Sequence, residues 1–148
     1  MFQGASPISL DAKGRLAVPT RYREAILAQG EGRVVVSVHP HRCLVLYPAP
    51  AWEPIARKVM ALPSMDVKVA AMQQLLVGHA DEVEMDAAGR ILIAPTLRKM
   101  SGIDRELMMF GQGTHFKLWN PPAWDQQLAA FTDVGTGGLP AGMDSLSL

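Results

Sequence analysis

Asp11-Ala12-Lys13-Gly14-Arg15 is written a second time, 75 positions later, as Asp86-Ala87-Ala88-Gly89-Arg90. The flanks repeat as well. Ile8-Ser9-Leu10 leads into the first copy and Val83-Glu84-Met85 into the second. Leu16-Ala17-Val18-Pro19-Thr20 follows the first and Ile91-Leu92-Ile93-Ala94-Pro95 the second. Self-similarity at a fixed offset bears on the whole architecture, because both copies must be read as one kind of supersecondary unit.

Within a unit, apolar residues alternate on both sides of the bend: Ile8 and Leu10 before it, Leu16 and Val18 after it. Period two around a short polar turn predicts a β-hairpin. An aspartate suits such a turn because its carboxylate accepts hydrogen bonds from backbone N–H groups a few residues on. Gly14 and Gly89 supply the positive φ of a three-residue turn. Arg15 and Arg90 lie just past the bend, beside the aspartate that opens it. An Asp–Arg pair across each turn would hold the guanidinium in one orientation, so that less rotamer entropy is lost on binding.

The repeat continues beyond the bend. Pro19 and Pro95 mark a turn or helix start. Tyr22 and Ile26 then predict a short helix ending at Gly30, with Leu97, Met100 and Gly102 in the copy. Strands follow at Val34-Val35-Val36 and Leu107-Met108-Met109-Phe110. The units exit on Leu46-Tyr47-Pro48…Trp52 and Leu118-Trp119…Trp124, which are 72 positions apart at the final tryptophan, so the second unit is about three residues shorter. Between the units, Trp52, Ile55, Val59 and Leu62 share one helical face, and Met65, Val69, Met72 and Leu76 another, with Ser64 as the expected cap of the second helix. The expected organisation is a first β-rich unit over residues 1–53, a helical connector over 54–78, a second unit over 79–131 and a flexible, Gly-rich tail over 132–148. The fold class is α+β, mainly β.

Composition sets bounds on function. A 49% apolar share supports a packed core, and 19% charged residues argue against general disorder. No apolar run reaches the roughly 18 residues that span a bilayer. The start Met1-Phe2-Gln3-Gly4 has neither a charged nor an apolar signal region. Cys43 is the one cysteine, which excludes an intrachain disulfide and fits a reducing, cytoplasmic setting. Net charge is zero, yet residues 1–74 carry nine Lys/Arg against five Asp/Glu, and residues 75–148 the reverse, five against nine. Lys13, Arg15, Arg21 and Arg23 crowd the first turn, whereas Asp81, Glu82 and Glu84 lead into the second. On that count, a polyanion meets the first turn.

Four other patterns carry little chemistry. Asp11 and Asp86 each sit beside an arginine, which favours the ionised form and makes a poor general acid, so no catalytic residue is assigned. His39, His41 and Cys43 alternate, but Pro40 interrupts them, a fourth ligand is missing and no metal is assigned. Gly111-x-Gly113 lacks the Gly-Lys-Ser/Thr of a phosphate loop. The tryptophans at matched exits read as core or subunit-interface residues rather than stacking platforms for single strands.

The doubled Asp-x-x-x-Arg, the Met-Phe-x-Gly start and the paired Leu-Tyr-Pro…Trp and Leu-Trp…Trp exits resemble the MraZ family of bacterial cell-division-cluster regulators, within the AbrB/SpoVT superfamily, over about residues 1–131. The resemblance implies two AbrB-like swapped-hairpin repeats forming one barrel in a single chain. It implies ring-like homo-oligomers, and nucleoid-associated binding to short direct repeats of double-stranded DNA in a promoter, without a cofactor. It places the DNA contact at the turns, on Asp11 with Arg15 and Asp86 with Arg90. The expectation is therefore a DNA-binding repressor of the cell-division and cell-wall gene cluster. Lys13, Arg15, Arg21, Arg23 and Arg90 meet DNA, and Asp11, Gly14, Asp86 and Gly89 shape the turns. The rival is an oligomeric, antitoxin-like or scaffold module that binds an acidic protein instead.

Overall fold

The computed structural model describes residues 1–147. In chain order the elements are β1 (Phe2–Ser9), β2 (Arg15–Ala17), α1 (Thr20–Gly30), β3 (Arg33–Val38), β4 (Leu44–Pro48), α2 (Ala49–Met60), α3 (Val67–Met72) with a π-helical turn at Gln73–Val77, β5 (Asp81–Glu84), β6 (Arg90–Leu92), α4 (Pro95–Ser101), β7 (Glu106–Gly113), β8 (Phe116–Trp119) and α5 (Pro121–Gly135). The fold is α+β, built on antiparallel strands.

Six strands form one sheet in the order β1-β7-β8-β4-β3-β5, and β2 pairs with β6 as a separate ribbon. Only β3–β4 and β7–β8 are local hairpins. The pairs β1–β7, β3–β5, β4–β8 and β2–β6 all join the first half of the chain to the second. The sequence period fixes which face each side chain takes. On β3, Val34, Val36 and Val38 enter the main core, while Val35 turns the other way and packs with Val45 and Trp52 beneath α2. A strand covered on both faces is apolar throughout, which accounts for the Val-Val-Val run. Phe2, Tyr22 and Phe116 close the core with ring centroids 4.3 to 5.8 Å apart, tying β1 and α1 to β8.

Three expectations need correcting. The arms of each bend do not form a hairpin with each other: past the Asp11 N–H to Arg15 carbonyl bond, β1 leaves to pair with β7 and β2 with β6. Alternation sets faces but not partners, and here each arm gains more sheet from the other half. Second, no closed barrel forms. β1 and β5 end the large sheet unpaired with each other, and the β2–β6 ribbon fills the gap by side chains, with Leu16 and Ile91 in the common core. Third, the second connector helix is capped by Asp66, not Ser64. The Asp66 carboxylate accepts from the N–H groups of Lys68 and Val69 at 2.8 and 3.2 Å, leaving Met65 94% exposed outside the helix.

Candidate functional site

Each bend is built by its aspartate. Asp11 Oδ1 accepts the backbone N–H groups of Lys13 (3.0 Å) and Arg15 (2.9 Å), and Oδ2 accepts Arg15 Nε at 2.7 Å. In the second bend, Asp86 Oδ1 accepts from Ala88 (3.0 Å) and Arg90 (2.8 Å), and Oδ2 accepts Arg90 Nε at 2.9 Å. Both carboxyls are held below the usual carboxylate range, first by the backbone N–H of the arginine and then also by its guanidinium. Gly14 and Gly89 take φ of +81° and +76°, a region that L side chains rarely adopt. Their carbonyls accept the N–H of Ile93 and Val18 respectively, so each bend is stitched to the strand that follows the other bend.

The ribbon register then sets where the arginines face. Arg15 pairs with Leu92, Leu16 with Ile91, and Ala17 with Arg90. Leu16 and Ile91 point inward and are fully buried. By period two, Arg15, Ala17, Arg90 and Leu92 share the outward face. Two guanidiniums, each locked to its own aspartate and each partly exposed, thus stand diagonally on one side of a two-stranded ribbon.

The other sequence-selected cations are scattered around this face. Lys13 is exposed in the first bend. Arg21 turns back toward β1, donating from Nη2 to Ser6 Oγ at 2.8 Å, with its guanidinium 4.7 Å from the centre of the Tyr22 ring. Arg23 donates from Nε to the Val18 carbonyl at 2.8 Å and lies against Gly89, in the second bend rather than the first. Its counterpart, Arg98, went unselected in the sequence. Arg98 donates from Nε to the Ile93 carbonyl at 3.1 Å and lies against Gly14. The signal was present: Arg98 stands 75 positions after Arg23, the same offset as the bends. The fold exchanges these two arginines between the bends, one for one.

The remaining candidates lie elsewhere. Cys43 is fully buried, and burial pushes its thiol up to about 11. His39 and His41 meet edge to face with ring centroids 4.7 Å apart. Among the described residues no group of three His, Cys, Asp or Glu is placed to hold a metal ion. Trp52 lies in the minor core, while Trp119 and Trp124 line a cavity of about 310 Å³ under α5 with Phe110, Lys117 and Phe131. That cavity contains no residue of either bend.

A family model described as "MraZ protein, putative antitoxin-like" matches residues 1–75 and again 76–135. The chain is 51% identical to the "Transcriptional regulator MraZ" of Methylobacillus flagellatus over 148 residues, covering the whole of both chains. It is 47% identical, again over both full chains, to proteins of the same name from Dechloromonas aromatica and Azoarcus sp..

Proposed function

The chain belongs to the MraZ family, and on that premise we propose that it is a sequence-specific DNA-binding transcriptional regulator whose reading heads are the two bends. The observation that carries this reading is the pair of aspartate-locked guanidiniums, Arg15 and Arg90, on one outward ribbon face. A two-stranded ribbon fits the major groove, and an arginine fork pairs with O6 and N7 of guanine. Lys13, Arg21 and Arg23 engage phosphates, which set register and orientation rather than sequence.

In this reading the halves are tandem AbrB-like swapped-hairpin units, residues 1–53 and 79–131, joined by the connector 54–78 and followed by a tail. The bends of one chain grip a few base pairs. A ring-like homo-oligomer multiplies that grip over short direct repeats in the promoter of the cell-division and cell-wall gene cluster, with avidity gains on the order of 10²–10⁴. Repression follows where the assembly overlaps the polymerase site. The relatives are named as regulators rather than enzymes, and the reading assigns no reaction to the bends.

The test is a titration of the full-length protein with the DNA upstream of its own coding region, against a shuffled duplex, at several salt concentrations. Specific binding with a steep salt dependence, a log–log slope of about −0.9 per phosphate contact, supports the reading. Absent or salt-insensitive binding removes it. The words "antitoxin-like" in the family description favour one alternative, a module that meets an acidic protein through the same bends. That alternative requires the DNA titration to fail.

A further inference from the structure

Arg23 and Arg98 are held in matching ways in the two halves. Each is half-buried, each donates Nε to a backbone carbonyl five residues earlier, and each covers the glycine of the bend belonging to the opposite half. The cover is close. A methyl group added to Gly14 would sit 2.8 Å from Arg98 Cζ, and one added to Gly89 would be nearer still to Arg23. Both glycines are buried although their bends are exposed. Among the described residues, neither arginine has a carboxylate within salt-bridge distance, and only Nε of each makes a protein hydrogen bond. Arg105, Asp104 and Asp11 share the hollow of about 310 Å³ that Arg98 lines beside the first bend.

We propose that Arg23 and Arg98 are positioning residues that bolt each bend from the opposite half: Arg98 fixes Asp11–Arg15 and Arg23 fixes Asp86–Arg90. The remaining guanidinium N–H groups of Arg98, without protein partners among the described residues, contact DNA phosphates beside the base-reading arginines, as those of Arg23 do in the reading above. This second clause rests on the functional reading above; the first does not. The geometry is reciprocal. The Nε bond sets each guanidinium plane against a glycine where no side chain intervenes, and the bend carbonyl is held by an N–H of the other half. Each bend then presents two guanidiniums, its own and a borrowed one, and the acidic lead-in of the second half does not leave its bend weaker.

The experiment is amide hydrogen exchange, residue by residue, on the full-length protein and on Arg98→Ala and Arg23→Ala. Arg98→Met and Arg23→Met, which keep an apolar stem over the glycine, serve if the alanine variants lose the fold. The expected pattern is crossed. Changing Arg98 speeds exchange at Gly14 and Arg15 roughly tenfold and spares Gly89 and Arg90, and changing Arg23 does the reverse. Effects confined to each arginine's own half, or no effect, overturn the bolting. For the phosphate contact, each variant should lower the salt slope of DNA binding by about 0.9. An unchanged slope, or a wild-type protein that binds no DNA, overturns the contact while the exchange pattern still decides the bolting.

Discussion

Arg15 Nε lies 2.7 Å from Asp11 Oδ2, and the Asp11 side chain also accepts the backbone N–H of Arg15 at 2.9 Å. The residue being aimed thus helps to build the bend that aims it. Asp11→Asn keeps an acceptor for the backbone but places an amide N–H₂ or a weaker neutral oxygen against the guanidinium. Specific DNA affinity should fall up to about tenfold, the scale of re-ordering one long side chain on binding. Asp86→Asn should do the same to a similar degree. Anisotropy titration of both variants checks this, and wild-type affinity in both would show that the pair does not preorganise the site.

Gly14→Ala and Gly89→Ala meet two obstacles, a positive φ and an arginine lying where the methyl must go. Each should cost about 1–3 kcal/mol. The measurement is the urea midpoint at constant m-value, and a loss under half a kcal/mol would show that the bends relax freely.

Acid should weaken the fold before Asp11 and Asp86 are protonated. Burial, helped by Lys117, His41 and His115, lowers the His39 pKa from 6.5 to about 4, and His115 is lowered for related reasons. The unfolded chain therefore takes up these protons first. The stability involved is intact above about pH 6.5 and declines as pH falls toward 4. Asp11 and Asp86, whose pKa values are depressed, contribute above the ordinary carboxylate range and lose that contribution only below it. Unfolding midpoints at pH 7, 5.5 and 4.5 should fall, and His39→Asn should flatten the decline. A flat wild-type profile would contradict the burial of the His39 ring.

Phe116 is fully buried and its ring touches Phe2 and Tyr22. Phe116→Ala should cost about 3–5 kcal/mol. Because four strand pairings join the two halves, loss should appear as one transition, with tryptophan fluorescence and far-UV dichroism coinciding. Two separated transitions would mean that the halves fold independently.

Much of the site was legible in the chain, and part of the fold was not. The bends, their Asp–Arg pairs and their glycines follow from residue chemistry within five positions, where local rules are strong. The core face of β3 follows from alternation. Strand partnership did not: Ile8 pairs with Leu107, nearly a hundred residues away, and alternation is satisfied equally by a local hairpin. The same non-local pairing carries Arg23 to the second bend and Arg98 to the first, which position along the chain does not reveal. Arg98 is recoverable from the 75-residue offset, because it stands in the second unit where Arg23 stands in the first.

The central claim is tested most directly by the affinity of Arg15→Ala for the upstream DNA, measured beside the wild type at one salt concentration with the assembly state checked by light scattering. The account predicts that specific binding disappears while the assembly is unchanged. Specific binding retained at wild-type strength by an intact Arg15→Ala protein would contradict it.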